Sequence, residues 1–210
     1  MSLRSKLSSL IITSFLTSSV YAADMETNNN KGGGLFIEPA VTYESGTLKL
    51  TYPAPFSSSS ETVRGLGIGA RIGVHFYDVL FAALDLRYSK PRYESAALSE
   101  SADATAYNGG VTVGMQTPLA GLRLWGTYIA DGMLDPDVIR GVDLKYTGFN
   151  GYRVGGGFYI AMVSVNLEYQ EAKYKSNSAT LGGFFAPGSL DNVYGTQTGY
   201  IVSVSFPFAL

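Results

Sequence analysis

Residues 64–88 constrain what this chain can fold into more than any other stretch. They read RGLGIGARIGVHF, pass a few residues around Tyr77 and Asp78, and resume as LFAALDLRY. Leu66, Ile68, Ala70, Ile72 and Val74 alternate with Gly65, Gly67, Gly69, Arg71 and Gly73. After the reversal, Leu80, Ala82, Leu84, Leu86 and Tyr88 alternate with Phe81, Ala83, Asp85 and Arg87. Period-two alternation on both sides of a tight reversal predicts a β-hairpin. One of its faces is continuously apolar and the other holds glycines and charges.

Two related hairpins follow. Residues 106–116 and 121–130 flank a short turn at 117–120, with Tyr107, Val111, Val113, Met115, Leu122, Leu124, Gly126 and Tyr128 on the apolar parity. Arg123, Trp125, Thr127 and Ile129 take the other parity. Residues 151–159 and a strand around Val165, Leu167 and Tyr169 repeat the pattern across a turn near Ala161, with Arg153 and Glu168 on the polar parity. A first strand at 35–44 and a last one ending at Leu210 bring the set to eight. Pro39 removes a ladder donor, so a bulge or weak pairing is expected there. Residues 45–62, 89–104, 131–146 and 174–192 read as four long loops. Eight strands joined alternately by short turns and long loops predict an all-β fold, an eight-stranded antiparallel up-and-down barrel.

The 210 residues suit one domain. The chain has no cysteine, which removes disulfides and thiolate metal sites, and its net charge of −2 argues against a nucleic-acid partner. Arg4 and Lys6 precede an apolar run at 7–16, and Val20, Tyr21 and Ala22 offer a cleavage site. Residues 1–22 therefore read as a signal peptide, 23–33 as a flexible lead-in, and 34–210 as the barrel domain. Cleavage would remove two basic residues and no acidic ones, taking the net charge from −2 to −4.

Exported eight-stranded meanders come in two kinds, the soluble lipocalin type and the membrane barrel, which differ in the sign of their faces. Here the apolar parity carries no charge through the middle of each strand, whereas the other parity mixes glycine with Glu38, Arg71, Asp85, Arg87, Arg123, Arg153 and Glu168. A solvated exterior does not tolerate the first pattern, and a narrow polar lumen requires the second. Tyr43, Tyr88, Tyr107, Tyr128, Tyr152, Tyr169 and Tyr200 all fall on the apolar parity toward the long-loop ends, as an interfacial aromatic girdle does. A transmembrane β-barrel is the expectation.

On these features, and on a final strand of alternating aromatics (YIVSVSFPFAL), the chain resembles the small outer-membrane β-barrels of Gram-negative bacteria typified by the OmpA transmembrane domain and OmpX. It departs from that pattern in ending on Leu210 rather than an aromatic residue. The resemblance covers the whole mature chain. It implies an outer-membrane location with extracellular loops and periplasmic termini, lipid and lipopolysaccharide as surroundings, and recognition of the last strand by the barrel-assembly machinery. It implies no cofactor and no further domain after the barrel.

Turn lengths suggest registers. A three-residue turn at 77–79 sets Arg71 opposite Asp85 and Gly69 opposite Arg87; a four-residue turn at 117–120 sets Gly114 opposite Arg123; a turn at 160–163 sets Gly155 opposite Glu168. The seven charged residues are expected to form a lumen network, and two readings of it stand. It plugs the barrel, which eight strands leave barely wide enough for side chains, or its salt bridges exchange partners and gate a small ion path. Enzyme chemistry is poorly provided for. The single histidine, His75, lies beside the first short turn, away from any outer-leaflet substrate, and some related barrels that modify lipid A need such a base. Asp131, Asp135 and Asp137 lack calcium-loop spacing and read as a solvated acidic loop. The loop aromatics Tyr52, Phe56, Tyr93, Phe149, Phe184 and Phe185 either bind a surface ligand or pack over the barrel mouth.

Overall fold

The alternation closes into a ring. The computed structural model describes residues 33–210 apart from 56, 78, 97, 118–120, 161, 182–187 and 190–192. The expected signal peptide, residues 23–32, and the loop aromatics Phe56, Phe184 and Phe185 lie outside the described residues. The strands are β1 (Leu35–Thr51), β2 (Ser59–Phe76), β3 (Leu80–Ser95), β4 (Glu100–Gln116), β5 (Leu122–Pro136), β6 (Val142–Thr147), β7 (Asn150–Ile160), β8 (Val163–Tyr174), β9 (Ser176–Leu181), β10 (Gly188–Ser189), β11 (Tyr194–Ser205) and β12 (Phe208–Ala209). Eight of them, β1-β2-β3-β4-β5-β7-β8-β11, pair in sequence, and β11 returns to β1 over Ala40↔Ser205 to Thr51↔Tyr194. Every pairing is antiparallel, and among the described residues there is no helix. The β6–β9–β10 strands extend the wall beyond β5 and β8.

Two of the three registers counted from turn lengths hold: Arg71 faces Asp85 and Gly69 faces Arg87, and Gly155 faces Glu168. The third is shifted by two residues. Gly114 faces Trp125, and Arg123 faces Gln116. The connection is longer than a four-residue turn because Gly121 takes a left-handed φ of 62° and β5 begins only at Leu122, with Thr117 Oγ1 accepting from the Leu122 amide. At Pro39 the ladder to the last strand lapses between Ala40↔Ser205 and Ile37↔Phe208, leaving the Phe206 amide to donate to the Pro39 carbonyl.

The long loops are a correction. Most of residues 45–62, 89–104, 131–146 and 174–192 continue the strands, so β1 has 17 residues and β2 has 18. About 10 tilted residues cross a hydrocarbon core. The surplus stands above it, and there the two faces exchange character. Below the tyrosine row, Val41, Leu66, Ile68, Leu84, Leu86 and Val113 are exposed on the outside while charges point in. Above it, Leu48, Leu50, Val63 and Tyr93 are buried inside, and Lys49, Arg64, Lys90, Arg92 and Lys173 face outward. The lower outer surface is an uninterrupted apolar belt, the exterior of a transmembrane barrel.

A bulge in β5 serves this exchange. Ile129 pairs with Gly110 and Asp131 with Gly109, so Ala130 is the extra residue. Below it the odd positions Arg123, Trp125, Thr127 and Ile129 are buried; above it the even positions Gly132, Leu134 and Pro136 are. The bulge turns Leu134 inward and keeps Asp131 out.

The tyrosines meet in cross-strand pairs at the boundary: Tyr88↔Tyr107, Tyr128↔Tyr152 and Tyr169↔Tyr200 sit directly opposite one another. With Tyr43 they form the girdle positions. All are exposed to the outside except Tyr169, which is half-buried with its ring 5.5 Å from that of Tyr200. Their hydroxyls reach upward to polar groups: Tyr152 and Tyr169 donate to Glu171, and Asn150 donates to Tyr128.

Candidate functional site: a charged lumen beneath an apolar cap

Inward parity on six strands converges Glu38 (β1), Arg71 (β2), Asp85 and Arg87 (β3), Arg123 (β5), Arg153 (β7) and Glu168 (β8) on one level of the lumen. Asp85 and Glu168 are its two hubs. Asp85 accepts from Arg71 Nε at 2.9 Å, from Arg87 Nε at 2.9 Å and from Arg153 Nη1 at 3.1 Å. Glu168 accepts from Arg71 Nη2 and Arg87 Nη1, each at 2.6 Å, and from the indole of Trp125 at 2.7 Å. Glu38 receives a two-pronged bond from Arg123 at 2.8 Å on both arms, plus the Ser205 hydroxyl at 2.6 Å. Shared, bidentate geometry of this kind is what allows ionised groups to leave water.

Four guanidinium groups meet three carboxylates in this network, and a fourth carboxylate, Glu44, lines the interior void beside Asn108 and Gln170. Arg153 spreads its charge over neutral acceptors, Gln170 and Asn108, each 2.8 Å from Nη2. Trp125 supports the network from below as well, with the Arg71 guanidinium 4.4 Å from its ring centre. Parity places Trp125, Gln170, Asn108 and Ser205 inward, and the charge-only selection of lumen residues omitted them. The usable signal was a tryptophan on the polar parity between Arg123 and Thr127, where it had no reason to be unless its N–H was needed.

Glycine makes the room. A Cβ on Gly155 would come within 2.6 Å of Glu168 Cγ and 2.8 Å of the Trp125 ring. Gly114 spares the Phe81 ring rather than Arg123. Phe81 packs edge-on to Phe36 at 6.0 Å, and His75 lies 4.5 Å from Phe36, so the short-turn end is closed by aromatic rings. The void beside the network, lined by Glu38, Arg71, Asp85 and Arg87, measures about 10 Å³, room for roughly one water.

Above the network the interior becomes apolar. Leu48, Leu50, Val63, Tyr93, Ile129, Leu134, Tyr146, Phe149 and Tyr174 form one buried cluster across the mouth. Tyr93 and Phe149 are therefore core residues of the cap, and Tyr52 packs against it. Tyr93 and Tyr146 share a hydroxyl–hydroxyl bond of 3.0 Å. Burial pushes Tyr146 up to about 12 and carries Tyr93 well above the ordinary tyrosine range.

Asp135 pairs with Lys145 at 2.9 Å, while Asp131 and Asp137 are exposed. Among the described residues no group of three histidine, cysteine, aspartate or glutamate side chains is arranged to hold a metal.

No protein-family model matches the chain, and no curated protein matches it in sequence. Among solved structures it is similar to the outer membrane protein OprG from Pseudomonas aeruginosa, with 11% identity, a TM-score of 0.52, and coverage of 85% of this chain and 98% of that one. It is also similar to Ail, the attachment invasion locus protein of Yersinia pestis (13% identity, 81% and 98% coverage, TM-score 0.45). A third is Neisserial surface protein A (14% identity, 83% and 98% coverage, TM-score 0.42). The likeness to OprG is one of fold. The chain is a small transmembrane β-barrel of the architecture found in outer membranes.

Proposed function

We propose that this chain is an integral barrel of a bacterial outer membrane, closed to ion flow, whose role is structural or lies in interactions at its upper end. In this orientation the tall strand extensions face the cell exterior and the short turns the periplasm. The single observation behind closure is that the lumen is obstructed twice in series. A hydrogen-bonded ion network fills the lipid-level section, and an apolar cluster fills the section above it. An ion entering from either end meets a layer of the wrong chemistry. No catalytic role is assigned: His75 sits among the Phe36 and Phe81 rings at the short-turn end, remote from the upper leaflet.

The alternative, a small gated pore, draws on Arg71, which contacts Asp85 and Glu168 and lies 3.8 Å from Glu38, so that it has a third carboxylate to swing to. Planar-bilayer recording of the refolded chain beside Arg71→Ala separates the two. Silence from both folded proteins is the expected result. Discrete openings altered by the substitution would replace the closed barrel with the gated pore.

A further inference from the structure

The cap is not fully packed. It leaves a half-open cavity of about 140 Å³ whose wall includes Leu50, Tyr52, Glu61, Tyr93, Leu144 and Tyr146. A space of this size accepts a molecule of about six or seven heavy atoms, judged by an engineered cavity of about 150 Å³ that takes benzene. Most of the wall is aliphatic or aromatic. Ser95 adds one hydroxyl, and Glu61, 1% exposed, is the charged residue set in the wall.

Glu61 differs from the three carboxylates of the lumen network. Glu38, Asp85 and Glu168 each face at least one guanidinium. Among the described residues Glu61 forms no ion pair, and its Oε2 accepts from the Ala96 amide at 2.5 Å. A buried carboxylate without a cation is costly, and a ligand that brings one removes the cost. Tyr52, Tyr93 and Tyr146 add aromatic faces, which attract a cation through the ring quadrupole. A metal ion is a poor fit, since one carboxylate among apolar walls cannot supply the six or more oxygens that calcium takes. A neutral hydrocarbon would fill the space and leave Glu61 uncompensated.

We propose that this cavity binds a small organic ammonium ion, with Glu61 as counter-charge and the three tyrosines as the aromatic wall. The site lies above the lumen network and is independent of whether the barrel conducts.

The test is calorimetry on the full chain refolded in a maltoside detergent, which carries no ammonium headgroup. Choline is the probe, and 3,3-dimethylbutan-1-ol, the same shape with carbon in place of the charged nitrogen, is the neutral reference. Choline is expected to bind at least about tenfold more tightly than the alcohol, and Glu61→Gln to erase that preference. Tyr52→Leu is expected to weaken choline about threefold, and it decides the matter if Glu61→Gln does not give a folded barrel on an unboiled gel. Equal affinity for the two probes, no binding of either, a preference that survives in folded Glu61→Gln, or unchanged choline affinity in Tyr52→Leu would overturn the proposal. Glycerophosphocholine identifies the source: affinity within about twofold of choline assigns the ammonium of a lipid headgroup, and much weaker binding assigns a free amine.

Discussion

The two storeys of this barrel share strands, pairing pattern and handedness, and are built inside out with respect to each other. In the lower one the exterior is leucine, isoleucine and valine and the interior is arginine, glutamate and aspartate. In the upper one lysine and arginine face outward while leucine and tyrosine fill the middle. The difference follows from the solvent. A leucine gains nothing by leaving lipid for a protein interior, so inside the bilayer cohesion comes from hydrogen bonds and ion pairs. A leucine leaving water gains about 25 cal/mol per Å² of apolar surface, so above the bilayer the apolar interior is the favourable one. One chain meets two solvents and answers each with the opposite filling.

That comparison can be broken most severely from the lower storey. Glu168→Ala removes the acceptor shared by Arg71, Arg87 and Trp125 and leaves buried cations unmatched, for an expected loss of about 3–5 kcal/mol. The midpoint of urea unfolding in vesicles, read by the gel shift between folded and unfolded barrel, measures it. In the upper storey Leu48→Ala opens a cavity in the cap and should cost roughly 3 kcal/mol of local stability. Here the expected readout is faster proteolysis within the strand extensions, with the gel shift of the membrane section intact. Coincident loss of both signals would mean that the storeys unfold as one unit.

Alkali discriminates between them without mutation. Tyr146 is raised by burial to about 12 from an ordinary value of 10, so the folded cap favours its neutral phenol. The stability this contributes is fully present below pH 10 and is lost as pH rises from 10 to about 12, by about 2 kcal/mol at most. Near-UV circular dichroism of the tyrosines should fade over that interval while the gel shift persists, and Tyr146→Phe should remove most of the transition. The smallest effect is expected on the outer surface. Lys145→Ala breaks a solvated pair with Asp135 and should shift stability by less than about 1 kcal/mol, within the error of the same proteolysis assay.

The lower storey was legible in the sequence because lipid imposes an unmistakable code: apolar at every second residue, free of charge for the depth of the bilayer. From that code the strand number, the outward tyrosines and the inward side of Arg71, Asp85 and Glu168 all follow. The upper storey obeys the same period with the opposite sign, and segments such as Leu48-Lys49-Leu50 and Glu61-Thr62-Val63 are too short to stand out among serines and prolines. They read as loop, and Tyr93 and Phe149 read as loop aromatics when they are core. The β4–β5 register failed for a narrower reason. Counting from a turn assumes a turn length, and the left-handed Gly121 makes that one longer. Glu61 was invisible to a search for charge in the lumen because its surroundings come from strand extensions that the sequence did not announce.

The exchange of faces at the tyrosine row gives the molecule a waterline. If the barrel sank, Lys49, Lys90 and Lys173 would be driven into hydrocarbon; if it rose, Leu66, Ile68 and Val113 would be lifted into water. Neither adjustment is cheap, and a closed barrel cannot bend to share the burden as a helix does by kinking. A bilayer of unsuitable thickness must therefore deform around the protein, thinning or swelling within the first rings of lipid. Copies of such a rigid float in the same sheet would feel one another through those overlapping menisci before any of their side chains touched.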